Sequence, residues 1–136
     1  MLLDSICDMI VKNDGVYIDG ELISPDDISD FMIITENLIR ISNEYIYTLT
    51  IMMDKICVNI SNCSIGTLIA RNIDLILVQT IVSNFTADIT YLRLDNSCSI
   101  TFANIITNTL VVRPEVKCRF VRANAIIIYH HSDFPD

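Results

Sequence analysis

Five cysteines, three spaced aspartates and one histidine pair are the side chains of this sequence with chemistry to offer. Cys7, Cys57, Cys63, Cys98 and Cys118 share no close metal-ligand spacing, and their number is odd. They read as reduced thiols in a cytosol-like compartment, so the expected location is cytoplasmic. Cys63 is the one candidate nucleophile, and no His lies near it in sequence to activate it. Cys98 and Cys118 are read as small buried hydrophobes. Asp74, Asp88 and Asp95 are candidates for outer turns, where paired carboxylates can do acid–base work. Their spacing brings no two of them together, so they are read as solvated turn residues. His130 and His131 are adjacent, and adjacent strand residues point to opposite faces, so they do not chelate one metal. No phosphate-binding loop, dinucleotide-binding glycine pattern or zinc-protease helix occurs. The expectation is a chain without catalytic residues, cofactor or metal, and not an enzyme.

The elements explain more than the chemistry does. Asn43, Asn62, Asn84, Asn104 and Asn124 recur at spacings of 19, 22, 20 and 20, each closing an apolar run. A repeat of this length signals a solenoid. Two, four and six residues before each Asn, twelve of fifteen positions are apolar, the exceptions being Asn37, Thr80 and Arg122. That alternation predicts a strand with one buried face. A second strand after each Asn carries Leu49 and Ile51, Leu68 and Ala70, Thr90 and Leu92, Leu110 and Val112. Arg71, Arg93 and Arg113 form an expected outward column. The predicted fold is all-β: a parallel β-helix of about five coils of ~20 residues, with Asn residues stacked at a corner.

The ends differ. Leu2, Leu3, Ile6, Met9 and Ile10 fall at helical spacing, which predicts a short amphipathic helix stopped by Asn13-Asp14-Gly15. Val16 to Ile23 reads as a hairpin or partial coil. Ser24 and Pro25 read as N-cap and first residue of a helix, with Ile28 to Ile34 open between helix and strand. The expected organisation is a capping segment over 1–36, a solenoid over 37–129 and a polar tail over 130–136. No apolar run is long enough for a transmembrane helix, and the start lacks a basic signal-peptide region.

All of the net charge of −8 lies early. Residues 1–44 carry ten acidic and two basic side chains, and residues 45–136 carry seven of each. Asp26, Asp27 and Asp30 mark an acidic end patch. Arg113, Lys117, Arg119 and Arg122 mark a basic one. Such a rod can attract its neighbour head to tail. Val111, Val112, Phe120, Val121, Ile126 and Ile128 crowd the last coil and are the expected assembly interface. An acidic chain without Trp and with one small basic cluster is not a nucleic-acid binder.

The segment from Val82 to Ala125 resembles bactofilins, the polymer-forming bacterial cytoskeletal β-helix proteins. The resemblance rests on Ser83-Asn84-Phe85-Thr86-Ala87-Asp88, Ala103-Asn104-Ile105-Ile106-Thr107 and Thr109-Leu110-Val111-Val112-Arg113-Pro114. Tyr17-Ile18-Asp19-Gly20-Glu21-Leu22 is similar to the family's early strand. The chain differs from that family in placing Asn where it places Gly, and in a longer repeat. The resemblance implies a cytoskeletal scaffold that polymerises end to end without nucleotide. The leading expectation is therefore a non-enzymatic assembly protein whose partner is itself. The alternative is a protein-binding module, viral or cellular, that docks another protein through a flat β-face.

Overall fold

A computed structural model describes residues 6–30, 32–124 and 127–128. It is an all-β solenoid in which successive coils pair in parallel. One side of the coil is built by β5 (Leu38–Ser42), β7 (Cys57–Ser61) and β9 (Asp74–Val78), then by the second half of β10 (Ile81–Leu94) and of β11 (Ser99–Val112). β13 (Ile127–Ile128) stacks on Val111 and Val112. The longer side holds β1 (Ile6–Lys12), β6 (Tyr45–Met52), β8 (Ser64–Arg71), the first halves of β10 and β11, and β12 (Lys117–Ala123).

From β1 to β11 the rungs are in register, so like side chains stack, and only β12 slips against β11, on either side of Ala103. Ile39, Val58, Leu75, Leu92 and Leu110 form one inward column. Ile46, Ile65, Val82 and Ile100 form another. Phe85 sits in the column of Leu49, Leu68 and Ala103, with Ala70 and Ala87 in the column beside it. A large ring beside small neighbours keeps the interior filled. A shift of one residue would turn every column outward, so this burial fixes the register.

Each coil bends where two successive residues leave the interior. On the long side the inward residues are Ile46 and then Leu49, Ile65 and then Leu68, Val82 and then Phe85. A second bend is left-handed: Asn43, Asn62, Gln79 and Ser97 have φ of 61°, 52°, 48° and 55°. A third is made by Lys55 and Asn72 in the first coils, with φ of 53° and 59°. In later coils the third bend flattens, and β10 and β11 run through it as single strands of 14 residues.

Rung partners give the coil length directly. Tyr45, Ser64, Ile81, Ser99 and Lys117 are stacked, so the steps are 64−45 = 19, 81−64 = 17, 99−81 = 18 and 117−99 = 18. The coil is shorter than the Asn spacing implied. Asn43 and Asn62 do occupy the corner, and Asn62 Nδ2 donates to Asn43 Oδ1 at 2.7 Å. Asn84 and Asn104 instead lie inside β10 and β11 on outward positions. The expected arginine column also dissolves: Arg71 stacks with Asp88 on the long side, whereas Arg93 stacks with Ile76 on the other.

The expected helix at the start is a strand over its described residues. Ile6, Met9 and Val11 point inward because β1 pairs in parallel with β6, where Ile6, Met9 and Val11 lie opposite Ile46, Leu49 and Ile51. The step from Ile6 to Met9 is the bend of every other rung, and it imitates helical spacing. The hairpin is present: β2 (Gly15–Ile18) pairs antiparallel with β1, and β3 (Glu21–Leu22) with β2. α1 (Pro25–Ile28) is a single turn, with Ser24 Oγ accepting from Asp27 N–H at 3.4 Å. β4 (Met32–Ile34) then pairs antiparallel with β5.

Candidate functional site

No two of the three aspartates are rung partners. Asp74 stacks between Cys57 and Tyr91, and Asp88 between Arg71 and Ile106. Asp95 is engaged elsewhere: its carboxylate contacts Arg113 Nε at 2.8 Å and Arg93 Nη2 at 3.3 Å. Among the described residues no three His, Cys, Asp or Glu side chains gather as a metal site. His130 and His131 lie outside the described residues. All five cysteines are free thiols. Cys63 is buried rather than exposed, and its thiol donates to the Ser61 carbonyl at 3.3 Å. Burial pushes the Cys63 and Cys98 thiols up, and pushes Cys118 up to about 12. Such thiols are poor nucleophiles at neutral pH.

The charged residues singled out in the sequence lie toward the two ends of the described chain, and Arg113 alone among them is buried. Asp26 and Asp30 are exposed and Asp27 half-buried on the N-terminal segment; Lys117, Arg119 and Arg122 are exposed on β12. Arg113 is not part of a basic patch. It is 6% exposed, and its Nη1 also donates to Asn96 Oδ1 at 3.0 Å and faces Glu115 at 3.7 Å. Val111 and Val112 are likewise removed from the surface. Val112 points inward in line with Leu94, and Val111, although in the outward column of Arg93, is covered. The side chains of Phe120, Val121 and Ile128, and the whole of Ile126, lie outside the described residues.

The two ends are built differently. At the N-terminal end, β2 and β3 lie against β1, and β4 lies against β5, all antiparallel. At the other end the last rungs are β12 and β13, and among the described residues no strand is laid over them. Edge strands left this way are templates for pairing.

A second surface lies on the flank. Tyr45 and Tyr47 are 66% and 75% exposed, on either side of inward Ile46. Below them Ser64 and Gly66 leave an open notch of about 580 Å³, mostly apolar, with Ile6 and Cys7 at its far side. Gly66 is required there, because a Cβ would sit 2.6 Å from the Tyr47 carbonyl oxygen. Ile81 and Phe102 stand out from the next coils, and the Arg119 guanidinium lies 5.6 Å from the centre of the Phe102 ring. Sequence reasoning missed this surface. The signal was an outward Tyr45–Tyr47 pair and one of only three glycines placed mid-strand.

Among the described residues, fold and surfaces define a parallel β-solenoid with one strand-capped end, one end over which no strand is laid, and an aromatic flank. Comparison with protein-family models, curated proteins and solved structures returned no match. Among the described residues no helix is long and apolar enough to cross a membrane.

Proposed function

We propose that this chain is a non-enzymatic structural protein that assembles with copies of itself through the ends of the solenoid. The observation that carries the reading is the asymmetry of the ends. Among the described residues the inward columns run to the last rung with no antiparallel strand over it, while the first rung is covered. The exposed basic side chains of β12 lie on the last long-side rung, at the other end of the ladder from an N-terminal segment that is acidic and also exposes Leu22, Ile33 and Ile34. Head-to-tail contact matches opposite charge and buries those apolar groups. The short coil of 17 to 19 residues also brings the chain closer to the bactofilin-like reading, whose coils are shorter than twenty. On that reading the location is cytoplasmic, and no nucleotide or nucleic acid takes part.

Negative-stain electron microscopy at low and moderate salt, beside light scattering, tests the proposal. The expected result is rods that lengthen with protein concentration and shorten as salt rises. Uniform small particles under both conditions, with a monomer mass by scattering, overturn it and favour a module that docks a different protein.

A further inference from the structure

We infer that the outer edge of β4 takes an added strand: an extended segment of another protein, with apolar residues on one face and basic residues at its ends. The site lies at the end proposed above for assembly. The inference needs only one copy of the chain and does not rest on that reading.

The first observation is a step in the ladder. On the long side β2 and β3 add two strands beyond β1, whereas among the described residues only β4 lies beyond β5 on the short side. The core shows the difference. Ile34 lies opposite Ile39, and so heads the inward column of Ile39, Val58, Leu75, Leu92 and Leu110. Ile39 is 1% exposed, yet Ile34 is 45% exposed, because no described strand is laid beyond it.

The second observation is the direction of the backbone groups. Thr35 N–H donates to the Leu38 carbonyl at 2.9 Å. Opposed residues in an antiparallel ladder alternate between bonded and non-bonded pairs. Ile33, opposite Arg40, therefore bonds β5 as well, and the N–H and C=O groups of Met32 and Ile34 point away from it. Groups set this way along an edge are a template for strand addition. Beside them, between α1 and β4, runs a mostly apolar groove of about 350 Å³ lined by Pro25, Ile28, Ser29, Met32 and Ile34. The inward side chains of an added strand, opposite Met32 and Ile34, cover that groove.

Charge names the rest of the partner. Residues 24–44 carry five acidic side chains and one basic, Arg40. Asp30 stands just before β4 and Glu36 just after it, with Asp26 on α1 beside the groove. The chain from Asp30 to Glu36 covers at most ~20 Å, the reach of about six extended residues. A strand with Lys or Arg at both ends meets these carboxylates, and an acidic strand is repelled by them. So short a strand buries less than a standard interface, so the expected dissociation constant is on the order of 10–100 µM and rises with salt.

The probe is an end-blocked peptide, Arg-Val-Thr-Val-Thr-Val-Lys, added to the full chain at about 20 µM and followed by amide NMR. Shifts in α1, β4 and β5 that saturate in the stated range are expected. The same peptide with Glu at both ends is expected to bind at least tenfold more weakly. Asp26→Lys combined with Glu36→Lys, both at exposed positions, is expected to reverse that preference. Ile34→Pro removes an outward N–H while sparing the bonds of β4 to β5, and is expected to weaken binding at least tenfold. The charge reversal keeps the test decisive where that variant fails to fold. No shift at about 1 mM peptide, shifts confined to other rungs, or equal binding of the acidic and basic peptides overturns the inference. So do β4 shifts that follow protein concentration and not peptide, which put a second copy on this edge. Peptide binding without rods sinks only the assembly proposal, and rods without peptide binding sink only this one.

Discussion

Cys63, Thr80 and Cys98 follow the left-handed corner residues Asn62, Gln79 and Ser97 and point into the solenoid. Each turns a small donor back on the chain. Thr80 Oγ1 donates to the Val78 carbonyl at 2.9 Å, and Cys98 Sγ to the Leu77 carbonyl at 3.1 Å. Cys63 does the same to Ser61. In these three middle coils the position holds a small side chain with one hydrogen to give, a role that Thr and Cys both fill, whereas Glu44 and Val116 take the same place in the first and last coils. Thr80→Cys is therefore expected to be near neutral, whereas Thr80→Ala leaves a carbonyl short of a donor and a small void, costing about 1–3 kcal/mol. Urea denaturation of the two variants checks the contrast. The same burial sets the pH response. Cys57, Cys63, Cys98 and Cys118 all have raised thiol pKa values, with desolvation the largest cause. The folded chain then holds protons that the unfolded chain gives up. Stability is full below the ordinary thiol value of 9.0 and falls as pH rises from there toward about 12, the folded value of Cys118. A melting temperature that stays level to pH 8.5 and then drops is the expected curve, and Cys118→Ala flattens its upper part.

At the scale of the element, the corners decide how the coil closes. Asn43, Asn62 and Asn72 suit left-handed geometry, but Lys55 and Gln79 adopt it too, with φ of 53° and 48°. A residue with a Cβ pays about 1–2 kcal/mol there, part of which glycine returns in lost chain entropy. Gln79→Gly is expected to raise stability by roughly 0.5–1 kcal/mol in chemical denaturation, and Gln79→Val to lower it by more. These corners also mark what the sequence let a reader see. Asn43 and Asn62 disclosed the first two coils, and Ile39, Ile41, Val58 and Ile60 were correctly read as inward. At the third coil the corner falls on Gln79, five residues before Asn84 (84−79 = 5). Following the asparagines put Phe102 inside, yet it is 44% exposed. The strand period stayed legible because alternation is local. Which side of the coil a strand builds was not, because that depends on the bends. The bends of the long side carry no shared residue type: Cys7, Tyr47, Gly66, Ser83 and Thr101 occupy them. The same bend made β1 look helical.

For the whole molecule, stacked rungs touch only their neighbours, so stability is a sum of local terms and the ends are the weak points. The C-terminal corner is clamped by Arg113, whose buried guanidinium joins Asp95, Asn96 and Glu115 across two coils. Replacing it by Ala leaves the Asp95 carboxylate, 16% exposed, with Arg93 as its remaining ion-pair partner, and is expected to cost about 1–3 kcal/mol. The opposite end depends on the turn of the β1–β2 hairpin. There Asn13 Nδ2 donates to Asp54 Oδ2 at 2.9 Å, Asp54 N–H donates to Asn13 Oδ1 at 3.3 Å, and Asn72 Nδ2 holds the other Asp54 oxygen at 3.2 Å. One asparagine thus fastens the cap to the next coil, and the following coil fastens the same carboxylate. In native-state hydrogen exchange, protection is expected to be greatest in β8 and β9 and to decline toward β1. Asn13→Ala removes both bonds to Asp54, an effect of about 1 kcal/mol, so β1 and β2 amides exchange roughly fivefold faster. Amides of β7 and β9 are unchanged, because the loss stays within the first rungs. Uniform acceleration through all rungs is the opposite outcome, and it would mean that the solenoid opens as one unit and that its cap sets the stability of the whole rod.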